Sequence, residues 1–160
     1  MNQANGKKIL VVDDEQDILL LIKCRLESAG YDVITASTGQ EGLERARKEA
    51  PDLIVLDLML PGLDGYQICG ILKHDRRYMK IPILILTARA QSKDYELGMK
   101  VGADAYITKP FDHQTLLIKI EELLAKNNSS LWSEAVKREP LPKADTPSQS
   151  IASNEKRIKK

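Results

Sequence analysis

Leu53-Ile54-Val55-Leu56-Asp57, continuing into Leu58-Met59-Leu60-Pro61-Gly62, is an unbroken aliphatic run that stops at a carboxylate and then a turn. Four successive aliphatic residues leave a strand no wet face, so both of its faces must be covered. Strands of this kind belong to parallel sheets with helices packed on either side. Working outward, three more runs share the pattern. Ile9–Val12 runs into Asp13 and Asp14, Ile83–Leu86 ends at Thr87, and Ala105–Thr108 ends at Lys109, followed by Pro110. Neighbouring parallel strands would bring these ends to one edge of a sheet, where three carboxylates, a hydroxyl and an ammonium share a pocket.

Helical stretches separate the runs. Glu15–Ala29 places Ile18, Leu19, Ile22, Leu26 and Ala29 at helical spacing, and Gly30 supplies the stop. Asp32–Ala36 reads as a short strand. Gln40–Glu49 reads as a helix with Leu43, Ala46 and marginally Ala50 inward, ended by Pro51. Pro61, Gly62 and Gly65 mark a loop. A third helix runs from about Gly65 to His74 and carries Ile68, Cys69, Ile71 and Leu72, and a fourth covers Lys93–Val101 up to Gly102. Asp112 precedes a fifth, through about Lys126, with Leu116, Leu117, Ile120, Leu123 and Leu124 on its buried face. The expected fold is α/β: a doubly wound five-stranded parallel sheet of order 2-1-3-4-5 with five helices, flavodoxin-like, with its ligand site at the carboxyl edge.

After about Lys126 the pattern stops. Residues 127–160 are rich in Pro, Ser and Lys and read as a disordered tail or linker, in which Leu131, Trp132, Ala135 and Val136 form at most one amphipathic turn. Charge divides at the same place. Residues 1–125 hold 16 Lys+Arg against 19 Asp+Glu, a net −3, while 126–160 hold 8 against 4, a net +4. The basic excess therefore lies in the tail, and no direct nucleic-acid contact is expected of residues 6–126. Aromatics make up only 4% of the chain, so the core must be aliphatic. Cys24 and Cys69 form no C-x-x-C pair and read as free thiols of a reducing, cytoplasmic setting. No apolar stretch approaches the ~20 residues of a membrane span, and Met1–Lys8 lacks a signal-peptide apolar region.

The pocket carries the chemistry. Two carboxylates ~5 Å apart repel by about 3 kcal/mol at an effective dielectric of ~20, so the cluster of Asp13, Asp14 and Asp57 calls for a cation. All-oxygen ligation suits Mg²⁺, with Mn²⁺ as the alternative. Asp57 is the natural nucleophile, because a carboxylate can form an acyl phosphate. Lys109 offsets charge on a transferring phosphoryl group, and the Thr87 hydroxyl can donate to one of its oxygens.

Four segments together resemble the receiver domain of two-component response regulators: Val11-Val12-Asp13-Asp14-Glu15, Asp57-Leu58-Met59-Leu60-Pro61-Gly62-Leu63-Asp64-Gly65, Leu86-Thr87-Ala88, and Gly102-Ala103-Asp104-Ala105-Tyr106-Ile107-Thr108-Lys109-Pro110-Phe111. The resemblance makes 6–126 the receiver domain. It implies that Asp57 accepts a phosphoryl group from a phosphohistidine on a sensor histidine kinase or histidine phosphotransfer protein. It assigns Asp14, Asp57 and the backbone carbonyl of Met59 to Mg²⁺, with Asp13 acting through water, and Thr87 and Lys109 to the phosphoryl oxygens. It implies a cis Lys109–Pro110 bond, and a switch in which Thr87 and Tyr106 move and alter the surface of the fourth helix, fifth strand and fifth helix. A receiver catalyses its own phosphorylation and slow dephosphorylation; it is not a turnover enzyme.

Other readings meet specific obstacles. A dinucleotide site needs G-x-G-x-x-G after the first strand, where this chain has Asp13-Asp14-Glu15-Gln16-Asp17. Haloacid-dehalogenase-type phosphatases carry a second Asp two residues after the nucleophile, a position held here by Met59; Met59 and Arg89 are placed to shield the site. Plainer roles suit other residues: His74 and His113 on the surface, Asp64 as a cap, Arg76, Arg77 and Lys80 as a solvated patch, and Tyr106 as a half-buried core residue if it is no switch. The output partner is open. A stand-alone receiver, monomeric or dimerising on phosphorylation, is the leading expectation. The N-terminal receiver fragment of a longer regulator with a DNA-binding or enzymatic output domain is the alternative.

Overall fold

The computed structural model describes residues 6–88, 96–97 and 100–128. Five strands, β1 (Lys8–Val12), β2 (Asp32–Ala36), β3 (Leu53–Asp57), β4 (Ile83–Thr87) and β5 (Ala105–Thr108), form one parallel sheet in the expected order β2-β1-β3-β4-β5. Alternation along each strand builds two cores, one on each face. Ile9, Val11, Leu53, Val55, Leu84 and Leu86 meet Leu19, Ile22 and Leu26 of α1 (Gln16–Ser28) and Leu116, Ile120, Leu123 and Leu124 of the last described helix, α4 (His113–Asn128). Leu10, Val12, Ile54, Leu56, Ile83 and Ile85 meet Leu43 and Ala46 of α2 (Gly39–Glu49) and Ile68, Cys69 and Leu72 of α3 (Gly65–Lys73). The unbroken aliphatic runs are thus explained: each residue serves one core or the other.

The helix ends follow local chemistry. Thr38 Oγ1 accepts the Glu41 N–H at 3.0 Å to start α2. Asp64 and Gln67 exchange side-chain-to-backbone bonds of 3.0 and 2.9 Å in a capping box that starts α3, as the cap reading of Asp64 anticipated. Gly30 leaves α1 at φ 99°, a region L side chains rarely occupy.

Of the apolar residues that α3 carries, Ile71 is exposed, because Ile68, Cys69 and Leu72 already fill the buried stripe. Two inward assignments are corrected. Ala50 is exposed and sits at φ 45° as the left-handed cap of α2, so it has left the helical face. Leu117 is only partly buried, at the margin of the α4 face. Tyr31 and Tyr78, both in connections, are buried and were not anticipated.

The chain divides into two units, Met1–Asn127 and Asn128–Lys160. The tail reading for 127–160 lies almost wholly outside the described residues. So does most of the helix expected over 93–101, of which Glu96, Leu97 and Lys100 are helical. Among the described residues no helix is long and apolar enough to cross a membrane.

Candidate functional site

Register brings the site together. Val12 lies opposite Leu56, so Asp13 and Asp57, the next residue after each, stand side by side at the carboxyl edge of the sheet. Asp57 lies opposite Leu86, and Thr87 opposite Thr108, which sets Thr87 and Lys109 at the same edge. Backbone bonds extend the ladder past the strands: the Asp13 N–H donates to the Ala36 carbonyl at 3.1 Å and the Lys109 N–H to the Thr87 carbonyl at 2.7 Å.

Asp13 is 1% and Asp57 4% exposed, and Thr87 is fully buried. Lys109 Nζ reaches into them, donating to Asp13 Oδ2 at 2.9 Å and Asp57 Oδ2 at 3.3 Å. The second oxygens are held by the backbone: Asp13 Oδ1 accepts the Glu15 N–H at 2.9 Å and Asp57 Oδ1 the Met59 N–H at 3.0 Å. Burial pushes the Asp57 carboxyl up to about 6; the Met59 N–H opposes this, the Asp13 charge adds to it and Lys109 opposes it again. For Lys109 burial acts downward, but the bond to Asp13 and the charges of Asp57 and Asp13 outweigh it, so the ammonium is held above the ordinary lysine range.

Asp14 is exposed at the same edge, and one oxygen from each of Asp13, Asp14 and Asp57 lies within 4.8 Å of the others. Three hard oxygen donors beside the Lys109 ammonium suit a small divalent cation. The residues present therefore fit the metal that the sequence implies. Met59 follows Asp57 by two residues in the loop between β3 and α3, with an exposed side chain. Tyr106 lies on β5 and packs, half-buried, against the core that holds Ile85. The Lys109–Pro110 bond is cis. Arg89 lies outside the described residues. His74 is exposed with Nδ1 2.8 Å from the Gly70 carbonyl, and Arg77 is paired with Asp75 at 3.0 Å.

One residue at the site was missed. Glu15 Oε1 accepts a third bond from Lys109 Nζ, at 3.2 Å. The signal was present, since a third acid directly follows Asp13-Asp14, but only the fold shows that its longer side chain turns back over Lys109.

Fold and site together define a doubly wound α/β domain that gathers acids, a hydroxyl and an ammonium at its switch point. The family model of the response regulator receiver domain matches residues 9–121, and the chain belongs to that family. The alkaline phosphatase synthesis transcriptional regulatory protein PhoP of Bacillus subtilis (strain 168) is 45% identical over 136 residues, 85% of this chain and 56% of its own length. The DNA-binding dual master transcriptional regulator RpaA of Synechocystis is 42% identical over 138 residues, 84% of this chain and 57% of its own. Among solved structures, a CheY-like response regulator receiver domain protein from Methanospirillum hungatei matches with a TM-score of 0.74 and 33% identity, over 79% of this chain and 99% of that one. The chain spans little more than half the length of the two curated relatives. Relatives of this kind give no support to the expectation that residues 6–126 make no nucleic-acid contact.

Proposed function

We propose that the chain is a phosphorylation-dependent switch of a two-component or phosphorelay pathway, with Asp57 as the phosphoacceptor. The observation that carries this reading is a buried Asp57 carboxylate bonded to Lys109 Nζ at 3.3 Å within a three-acid cluster. One Asp57 oxygen forms the new P–O bond as the P–N bond to the donor phosphohistidine breaks and the imidazole departs. The Met59 N–H and Lys109 fix the carboxylate for that attack. Lys109 then offsets charge on the phosphoryl oxygens, and the Thr87 hydroxyl donates to one of them. A divalent cation, Mg²⁺ with Mn²⁺ as the alternative, supplies further neutralisation when held by Asp14, Asp57 and the Met59 carbonyl, with Asp13 acting through water. The exposed Met59 side chain stands where a phosphatase would carry an acid, so the chain handles its own phosphoryl group and releases it slowly, without turnover of an external substrate.

Phosphorylation adds nearly two negative charges beside Thr87. The readout in this reading is movement of Thr87 and Tyr106, which alters the surface of β5, α4 and residues 93–101 and shifts a pre-existing equilibrium between two states. The kinase and the downstream target are proteins; a cytoplasmic setting goes with them. A second reading, a receiver that governs a DNA-binding output, draws its support from PhoP and RpaA, transcriptional regulators that extend beyond the matched part.

The test is labelling by a small phosphodonor with Mg²⁺. Wild type should form an acid-stable, hydroxylamine-labile adduct that fails to form when EDTA is present from the start and in Asp57→Asn. Undiminished, stable labelling of Asp57→Asn would remove Asp57 from its role.

A further inference from the structure

We propose that Glu15 competes with the incoming phosphoryl group for the Lys109 ammonium, and so sets both the resting bias of the site and its selectivity among donors. The inference rests on the phosphoacceptor reading of Asp57. An ammonium has three N–H donors, and three carboxylates take them: Asp13 at 2.9 Å, Glu15 at 3.2 Å and Asp57 at 3.3 Å. Its donor capacity is full. A phosphoryl oxygen can be held by Lys109 only when one of the three lets go.

The three partners are unequal. The Asp13 and Asp57 side chains are 1% and 4% exposed, and a buried charge that loses its partner is costly. The Glu15 side chain is 61% exposed and returns to water on release. Glu15 is therefore the partner that yields. While it holds, it draws the ammonium toward the rim and away from the position where a phosphoryl group would need it. It also stands outside the metal-competent cluster of Asp13, Asp14 and Asp57, so its negative charge at the mouth is not consumed by a cation. A dianionic donor meets that charge on approach; a less anionic one meets less of it. Glu15 has no local duty that explains its side chain, since it is the N-cap of α1 yet makes no side-chain cap bond.

The experiment uses the full chain as wild type, Glu15→Gln and Glu15→Ala. Three quantities are read: beryllofluoride affinity with Mg²⁺ by NMR titration, Mg²⁺ affinity alone, and labelling rates with acetyl phosphate and the less anionic phosphoramidate. An exposed ion pair is worth a modest amount, so both variants should bind beryllofluoride about two- to fivefold tighter. Both should label faster, with the larger gain for acetyl phosphate, and the gain should shrink as salt rises toward about 0.5 M. Mg²⁺ affinity should fall by no more than about threefold, as expected for removing one exposed charge. Beryllofluoride binding and labelling equal to or weaker than wild type would overturn the inference. So would a tenfold or greater loss of Mg²⁺ affinity, which would make Glu15 part of the metal site. If instead wild type and Asp57→Asn label alike, the phosphoacceptor reading falls and takes the inference with it.

Discussion

Gly65 opens α3, directly after the loop that carries Met59. An ideal Cβ at this position would lie 2.8 Å from Leu58 Cα and 3.1 Å from the Asp57 carbonyl carbon, with the Asp57 carbonyl oxygen nearer still. Relaxed carbon–carbon contacts begin at about 3.5 Å, so Gly65→Ala forces a retreat of about 0.7 Å. The obstructing atoms are backbone and cannot rotate away. The strain falls on the peptide units that position the Asp57 carboxylate and its 3.0 Å bond from the Met59 N–H. Overpacking costs about 1–3 kcal/mol, and replacing glycine by alanine in a helix returns about 0.5–1 kcal/mol. The net loss should be about 1–2 kcal/mol, a fall in Tm of about 3–8 °C for a chain of this size. A misplacement approaching 1 Å can cost about 100-fold in rate, so phosphodonor labelling with saturating Mg²⁺ should slow about ten- to hundredfold at a temperature where the variant is folded. Gly70, in the same helix, is the control: nothing lies within 4 Å of its ideal Cβ. Gly70→Ala should keep the wild-type labelling rate and gain about 0.5–1 kcal/mol by urea unfolding. Wild-type labelling and Tm in Gly65→Ala would refute the claim that close approach at this glycine positions the site.

The two cores and the two thiols give further expectations. Leu26→Ala, at a fully buried position of α1, should cost about 2–5 kcal/mol by urea unfolding, whereas Leu20→Ala, on the exposed side of the same helix, should stay within about 0.5 kcal/mol; equal losses would contradict the assignment of the α1 face. Cys24 is exposed and Cys69 buried, and burial pushes the Cys69 thiol up to about 11 against the partial pull of Lys73. A native-state alkylating reagent should therefore modify Cys24 alone, read by mass spectrometry, and modification of Cys69 before unfolding would count against its placement. Because the folded thiol ionises later than the ordinary 9.0, its contribution to stability is whole below pH 9 and is lost as pH rises toward about 11.

The central strands were legible because a residue type and a burial state coincided: Ile9–Val12, Leu53–Leu56 and Ile83–Leu86 are covered on both faces and are aliphatic throughout. Their order followed from the few topologies open to alternating strands and helices. Helix faces were less legible. Ile71 and Ala50 are apolar and near the helical period, yet one lies at the edge of a stripe already filled and the other has turned into a left-handed cap before Pro51. Tyr31 and Tyr78 belong to connections, where no period marks a residue as inward; their burial is set by tertiary packing, with the Tyr78 hydroxyl donating to the Arg47 carbonyl of α2 at 3.4 Å. At the site, Asp13, Asp14, Asp57 and Lys109 could be brought together on paper because strand ends fix them. Glu15 could not, because its place depends on the reach of a flexible side chain rather than on register.

The position of the acids raises a physical question that the other edge of the sheet answers. Asp13 and Asp57 are buried side by side, and the Lys109 ammonium between them is shared with Glu15. Left to relax, such a cluster would separate. The strands cannot follow that tendency, because they are pinned at their amino ends. Asp52 Oδ2 accepts the Lys8 N–H at the start of β1 at 2.7 Å. Asp104 Oδ2 accepts the Ile83 N–H at the start of β4 at 2.8 Å and pairs with Lys73 Nζ at 2.9 Å, which also donates to the Ile81 carbonyl at 2.8 Å. With two aliphatic cores between the pinned edge and the acidic edge, the repulsion cannot be relieved by moving backbone. It remains as local frustration, a form of conflict that folds sustain at functional sites. A cation or a rearrangement of Lys109 relieves it at the carboxyl edge, where the side chains are free to respond while the strands beneath them are not.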